Sequence, residues 1–113
     1  MLIRRLDHPI VCVRDRRPWI ELVADVFDLT PLNSGEGDEW GFSDAEIAIG
    51  DGLLGIVEPT GPESQLQRYL DQFGEGFYAL SVDVGDISVA AEHFKAHDIP
   101  FREAKRDGVV TLL

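Results

Sequence analysis

Three histidines and one cysteine are the side chains of this chain best suited to acid–base, metal or nucleophilic chemistry. His8 and Cys12 share a short apolar stretch at even spacing, so a strand there puts both on one face with Ile10 between them. An imidazole so placed can move a proton or anchor a polar group, or it can be a hydrogen-bonded strand histidine with no further role. Cys12 has no cation or helix N-terminus beside it in sequence to favour a thiolate, and it reads as a small buried hydrophobe. His93 and His97 have the i, i+4 spacing of a helical metal clip. No third ligand is near them, so a solvated surface is the simpler reading. Ser81 lies in a strand-like run without a G-x-S-x-G elbow, which suits a packed serine better than a nucleophile.

The chain around these residues is 113 residues long, 44% hydrophobic and 27% charged, in the range of one folded domain. Its net charge of −11, from 21 acidic against 10 basic side chains, opposes binding to nucleic acid or an anionic membrane. Arg4, Arg5, Arg14, Arg16 and Arg17 crowd the start. They read as a solvated rim or, more sharply, as a local anchor for an anionic ligand. One cysteine excludes an internal disulfide and is compatible with a reducing compartment. With no apolar h-region after the first arginines and no run of about 20 apolar residues, the expected location is cytoplasmic.

Hydrophobic periodicity places the elements that must position these residues. Leu6 to Val13 reads as a strand. Asp15 then caps a helix whose stripe is Trp19, Leu22, Val23, Val26 and Phe27, stopped at Thr30–Pro31. Asn33 to Glu39 is loop-like. Trp40 to Ile49 and Leu53 to Glu58 are strands joined at Gly50-Asp51-Gly52. Pro62 opens a helix striped by Leu66, Tyr69, Leu70 and Phe73 and ended by Gly74. The pattern then restarts. Phe77 to Val84 is a strand, and Asp86 caps a helix lined by Ile87, Ala90, Ala91 and Phe94. Ile99 to Ala104 and Val109 to Leu113 are strands about a turn at Asp107–Gly108. One unit thus occurs twice, with starts about seventy residues apart. The expected organisation is a first βαβββ module over 1–59, a linker helix over 60–75, and a second module over 76–113 that lacks its final strand.

The segment Leu6-Asp7-His8-Pro9-Ile10-Val11-Cys12-Val13-Arg14-Asp15 resembles the opening strand of a vicinal oxygen chelate module, the fold of glyoxalases and bleomycin-resistance proteins. Ala45 to Pro59, with Gly50 and Pro59 at matching spacing, is similar to the third and fourth strands of methylmalonyl-CoA epimerases. Leu66 to Val84, with Gly74-Glu75-Gly76 before Tyr78-Ala79, looks like their linker helix and the G-E-G-x-H-H start of the fifth strand. Gly85-Asp86-Ile87 follows as their D-D-I does. The resemblance implies an α+β fold, with paired βαβββ modules forming a cupped, partly open mixed sheet and helices outside. It also implies a divalent metal held from the first, fourth, fifth and eighth strands. Carried over one residue at a time, His8 matches the first ligand, Gly55 falls at the second and Ala79 at the third, while the eighth strand is absent from this sequence. Glycine and alanine have no donor atoms, so the metal set is incomplete with His8 alone. Glu58, an odd number of residues from Gly55, faces away from the cup.

No cofactor is therefore expected, unless a partner chain or a further segment supplies ligands. Alternation instead describes an apolar concavity lined by Ile10, Leu53, Gly55, Val57 and Ala79. Its polar points are His8, Cys12 and Ser81, and Trp40, Phe42 and Tyr78 stand at the rim. Three functions compete. The first is metal-free binding of a small, largely apolar molecule, as the bleomycin-resistance branch implies. The second is epimerase- or isomerase-like proton transfer on an acyl-CoA or related carbonyl compound, with His8 the one nameable base. The third is a homodimer in which a second copy supplies the missing strand.

Overall fold

The computed structural model describes residues 2–35, 41–106 and 109–112, in the order β1 (Arg5–Cys12), α1 (Arg16–Asp25), β2 (Pro31–Gly35), β3 (Phe42–Ile49), β4 (Gly52–Pro59), α2 (Gln65–Phe73), β5 (Gly76–Asp83), α3 (Ile87–Ala96), β6 (Glu103–Arg106) and β7 (Val109–Leu112). The expected turn at Asp107–Gly108 and the rim residue Trp40 lie outside the described residues. The fold is α+β, with an open mixed sheet of five strands in the order β2-β3-β4-β1-β5 and a separate two-stranded β6-β7 sheet. Two compact units share the chain, Asp7–Ser81 and Met1–Leu6 with Val82–Leu113, and β1 and β5 run through both.

In the larger unit the β3–β4 hairpin fixes the register of everything beside it. Ile49 pairs with Gly52, leaving Gly50 and Asp51 as a two-residue turn. Gly50 has φ +60°, the positive value that a tight hairpin needs and that glycine adopts without strain. From that turn the pairing runs unbroken to Phe42 and Pro59, setting Glu46 opposite Gly55. β1 then pairs with β4 in parallel, Ile10 against Gly55 and Cys12 against Val57. A parallel pair needs a crossover, and α1 with β2 and β3 supplies it.

The two faces of this sheet have separate cores. On one, Val13, Val23, Ile47 and Ile56 pack together with Val11, Leu29 and Leu54, so α1 covers this side. On the other, Cys12 and Val57 pack against Leu66 and Leu70 of α2, with Ile10, Phe42, Tyr69 and Tyr78 around them. Ser64 caps α2 by accepting from the Leu66 N–H at 3.2 Å, so Pro62 stands in the turn before the helix and does not open it. The Tyr69 hydroxyl donates to the Phe77 carbonyl, fastening α2 to the strand that follows.

Two local expectations fail, each for a physical reason. Pro31–Gly35 is a strand on the sheet edge, paired with β3 through an irregular register between Pro31 and Asn33. Its Pro, Asn, Ser and Gly content reads as loop, but an edge tolerates such residues because half of its backbone groups need no partner strand. The α1 stripe is also rotated. Val23 is buried, yet Trp19 and Leu22 are exposed, and so are Val26 (65%) and Phe27 (61%), which follow the last helical residue. Arg16 takes the inward position instead. Its backbone N–H donates to Glu58 Oε2 at 2.9 Å, its Nε lies 3.2 Å from Glu58 Oε1, and its Nη1 donates to the Asp44 carbonyl at 2.5 Å. An ion pair therefore sets the rotation of the helix.

In the smaller unit Asp83 accepts from the Gly85 N–H and from the Arg4 guanidinium, each at 2.9 Å, and these two contacts hold its carboxyl below the usual range. Ala90 and Ala91 are the buried residues of α3, with Ile87 and Phe94 half-buried on the same stripe. No helix among the described residues is long and apolar enough to cross a membrane.

Removing Glu58 would take away the carboxylate that the buried Arg16 guanidinium pairs with. Glu58→Ala is expected to cost about 3 kcal/mol in urea unfolding. The double change Arg16→Met, Glu58→Leu is expected to recover most of that loss.

Candidate functional site

The face of the sheet that carries His8 is built from alternate residues of three neighbouring strands. Ile10 and Cys12 continue from His8 on β1, and Leu53 and Val57 flank Gly55 on β4. Phe42, Asp44, Glu46 and Ala48 of β3 lie opposite Pro59, Val57, Gly55 and Leu53. Directly paired residues share a face, so the Glu46 carboxylate belongs with His8 and Gly55.

His8 is seated on Gly55. A β-carbon placed on Gly55 would lie 3.2 Å from His8 Cδ2, 3.4 Å from His8 Nε2 and 3.3 Å from Ile10 Cγ1. The Cδ2–Nε2 edge of the ring thus fills the space into which a side chain at 55 would project. The other ring nitrogen, Nδ1, is 2.6 Å from Asp7 Oδ2. His8 retains 16% of its side-chain exposure, and its Nε2 makes no hydrogen bond among the described residues. With a neutral ring, Nδ1–H donates to Asp7 and Nε2 presents a lone pair to the face.

The remaining expected site residues divide into two groups. Cys12 (0% exposed) and Val57 (6%) lie under Leu66 and Leu70, so α2 closes that end of the face and neither can touch a ligand from outside. Phe42 and Tyr78 pack against the same cluster, Tyr78 edge-on to Tyr69 with ring centroids 4.9 Å apart. His8, Ile10, Leu53 and Glu46 are half-buried, and Gly55 is buried beneath the His8 ring. Ala79 and Ser81 are half-buried on β5. The Arg4 N–H donates to the Asp83 carbonyl at 2.8 Å, at the start of β1 and the end of β5, which are neighbours in the sheet.

Three of the arginines near the start have protein partners. Arg4 is paired with Asp83 and Arg16 with Glu58. The Arg14 backbone N–H donates to Glu75 at 2.9 Å, and its guanidinium donates to the Leu70 carbonyl at 3.3 Å. His93 and His97 stack with centroids 4.2 Å apart, and His97 Nδ1 lies 3.0 Å from the His93 carbonyl oxygen, a helix-end contact.

Sequence reasoning missed Asp7, Glu46 and the Arg16–Glu58 pair. Asp7 adjoins His8 and was visible as a potential partner. Glu46 follows from arithmetic on the hairpin: a two-residue turn that pairs 49 with 52 also pairs 46 with 55.

The residues present do not fit a divalent cation. Gly55 and Ala79 offer no donor atom, and the His8 ring occupies the space above Gly55. Among the described residues no three His, Cys, Asp or Glu side chains are grouped to hold a metal.

This element order and sheet match the fold of solved methylmalonyl-CoA epimerases. The epimerase of Mycobacterium tuberculosis superposes with a TM-score of 0.79 at 21% identity, over 93% of this chain and 70% of that one. A variant of the Streptomyces coelicolor epimerase, in complex with 2-nitronate-propionyl-CoA, gives a TM-score of 0.85 at 20% identity, over 98% and 85%. A hypothetical protein of Bacillus halodurans C-125 gives 0.75 at 20% identity, over 89% and 72%. No family model and no curated protein matches the sequence. At these identities the shared property is the fold.

Burial pushes the Cys12 thiol up to about 11, with the nearby Glu75 charge acting in the same direction. A raised folded value favours the protonated form. The stability it contributes is complete below the unfolded thiol value near 9 and is lost as pH rises through about 11. Between pH 9 and 11 the wild type is expected to lose about 2 kcal/mol more than Cys12→Ala, read from urea unfolding at each pH.

Proposed function

We propose that this protein binds a small molecule with an apolar body on the accessible part of the His8 face, without a protein-bound metal. The observation that carries this reading is the seating of His8 on Gly55. It replaces a second chelating side chain with an imidazole edge and leaves a shallow apolar floor of Ile10 and Leu53 beside two polar groups, His8 and Glu46. The fold places no constraint against such a use, because one scaffold serves binding proteins and enzymes alike.

Ligand binding is expected to raise the melting temperature whether or not chelator is present. With an apolar probe at about 100 times its Kd, the rise should be roughly 10 °C. Mn²⁺, Co²⁺ and Zn²⁺ alone are expected to produce none. A rise with any of these metals that chelator reverses would contradict a metal-free site.

The structural likeness to epimerases supports a second reading, in which His8 moves a proton at the carbon next to the carbonyl of an acyl-CoA. Asp7 would then orient the imidazole while Nε2 takes the proton. On the binding reading, incubation with methylmalonyl-CoA in deuterated water gives no label at C2 above the protein-free rate. Uptake that His8→Ala abolishes would establish the enzyme instead.

A further inference from the structure

We propose that His93 and His97, at the C-terminal end of α3, form a two-histidine site for a Cu²⁺ ion, with water or a small external ligand in its remaining positions. The pair shares no residue with the His8 face and stands independently of the reading given for that face.

Three observations carry it. The first is the placement of the rings. Residues four apart on a helix stand one above the other, and these two rings have centroids 4.2 Å apart and planes inclined by 30°. With about 2.0 Å from ion to nitrogen and about 1.2 Å more to the ring centre, two imidazoles bound at a right angle have centroids about 4.5 Å apart, and two bound at a tetrahedral angle about 5.2 Å. The observed separation suits the right angle, the cis arrangement of a square-planar or tetragonal ion.

The second is a ring already oriented as ligands are. His97 Nδ1 lies 3.0 Å from the His93 carbonyl oxygen. A carbonyl oxygen can only accept, so Nδ1 carries the hydrogen and Nε2 is the nitrogen that a metal can take. The His97 backbone N–H donates to the same carbonyl at 3.2 Å, so main chain and side chain hold the residue in one place. Neither ring makes a further hydrogen bond among the described residues.

The third is access and charge. Both histidines are exposed, at the helix end whose carbonyls carry partial negative charge and favour a cation. Lys95 is two residues from each, about 200° around the helix, and so on the other side of the turn. The net charge of −11 adds attraction at longer range.

The identity of the ion follows from the ligands. Two imidazole nitrogens suit borderline divalent ions, and Cu²⁺ both heads the affinity order for such sites and takes tetragonal geometry. Mn²⁺, Co²⁺ and Zn²⁺ stand lower in that order, and Zn²⁺ favours the tetrahedral angle.

Cu²⁺ added alone to the intact chain, in a buffer that does not coordinate it, tests the site. The unpaired electron broadens nearby amide resonances, and one equivalent is expected to erase those around His93 and His97 while leaving those around His8 and Gly55. His93→Gln and His97→Gln, at exposed positions, are each expected to weaken Cu²⁺ binding at least about tenfold, because one imidazole loses the effective concentration of the other. Zn²⁺ is expected to bind the wild type at least about tenfold more weakly than Cu²⁺. Broadening centred on His8 or on the amino terminus overturns the proposal. So does a variant that keeps its Cu²⁺ affinity within about threefold of the wild type, or Zn²⁺ binding as tightly as Cu²⁺. The wild-type broadening pattern decides the matter even if a variant fails to fold.

Discussion

The parallel pairing of β1 with β4 is the constraint on which the site depends. Ile10 against Gly55 is one backbone register, yet it decides that the His8 ring comes down over a residue without a side chain. A slip of one residue would turn His8, Ile10 and Cys12 to the α1 face and bring Val11 and Val13 to the other, exchanging two cores that are both already filled. Register in this sheet is therefore fixed from both sides by packing. The tight turn at Gly50–Asp51 then carries the same certainty across to Glu46.

Much of the fold was legible because it rests on strong local signals. Asp15 and Asp86 cap their helices as read, each accepting a backbone N–H two residues on, and the Gly50 turn and the α2 stripe of Leu66 and Leu70 lie where periodicity puts them. What was not legible came from tertiary competition. Pro31–Gly35 has the composition of a loop, and only the exposed backbone of β3 beside it makes it a strand. The face of α1 was misread because a charged residue at the first helical position was assigned to solvent. Arg16 turns inward because Glu58, forty-two residues away, meets it there.

The site was legible in part. Alternation identifies the face that His8 shares with Ile10, Cys12, Gly55 and Val57, and the structure keeps those residues on one side. Alternation cannot say which part of a face another element will cover, and α2 takes the Cys12 and Val57 end. The family comparison drew attention to what positions 55 and 79 lack. The cross-strand neighbour of position 55 was the more useful question, because a vacant position acquires its chemistry from the side chains around it. Epimerases share this fold at 20–21% identity, and that is too little to carry a mechanism from one set of side chains to another.

The enclosure of Cys12 bears on how the chain meets oxidants. A sulfur with no exposed area, kept protonated well past neutrality, offers neither the thiolate nor the approach path that peroxide or a disulfide requires. It would outlast an oxidising milieu as readily as a reducing one. The single thiol thus fills space between β1 and α2 much as a methyl-bearing side chain would, and its presence in the sequence carries no information about the compartment in which the protein works.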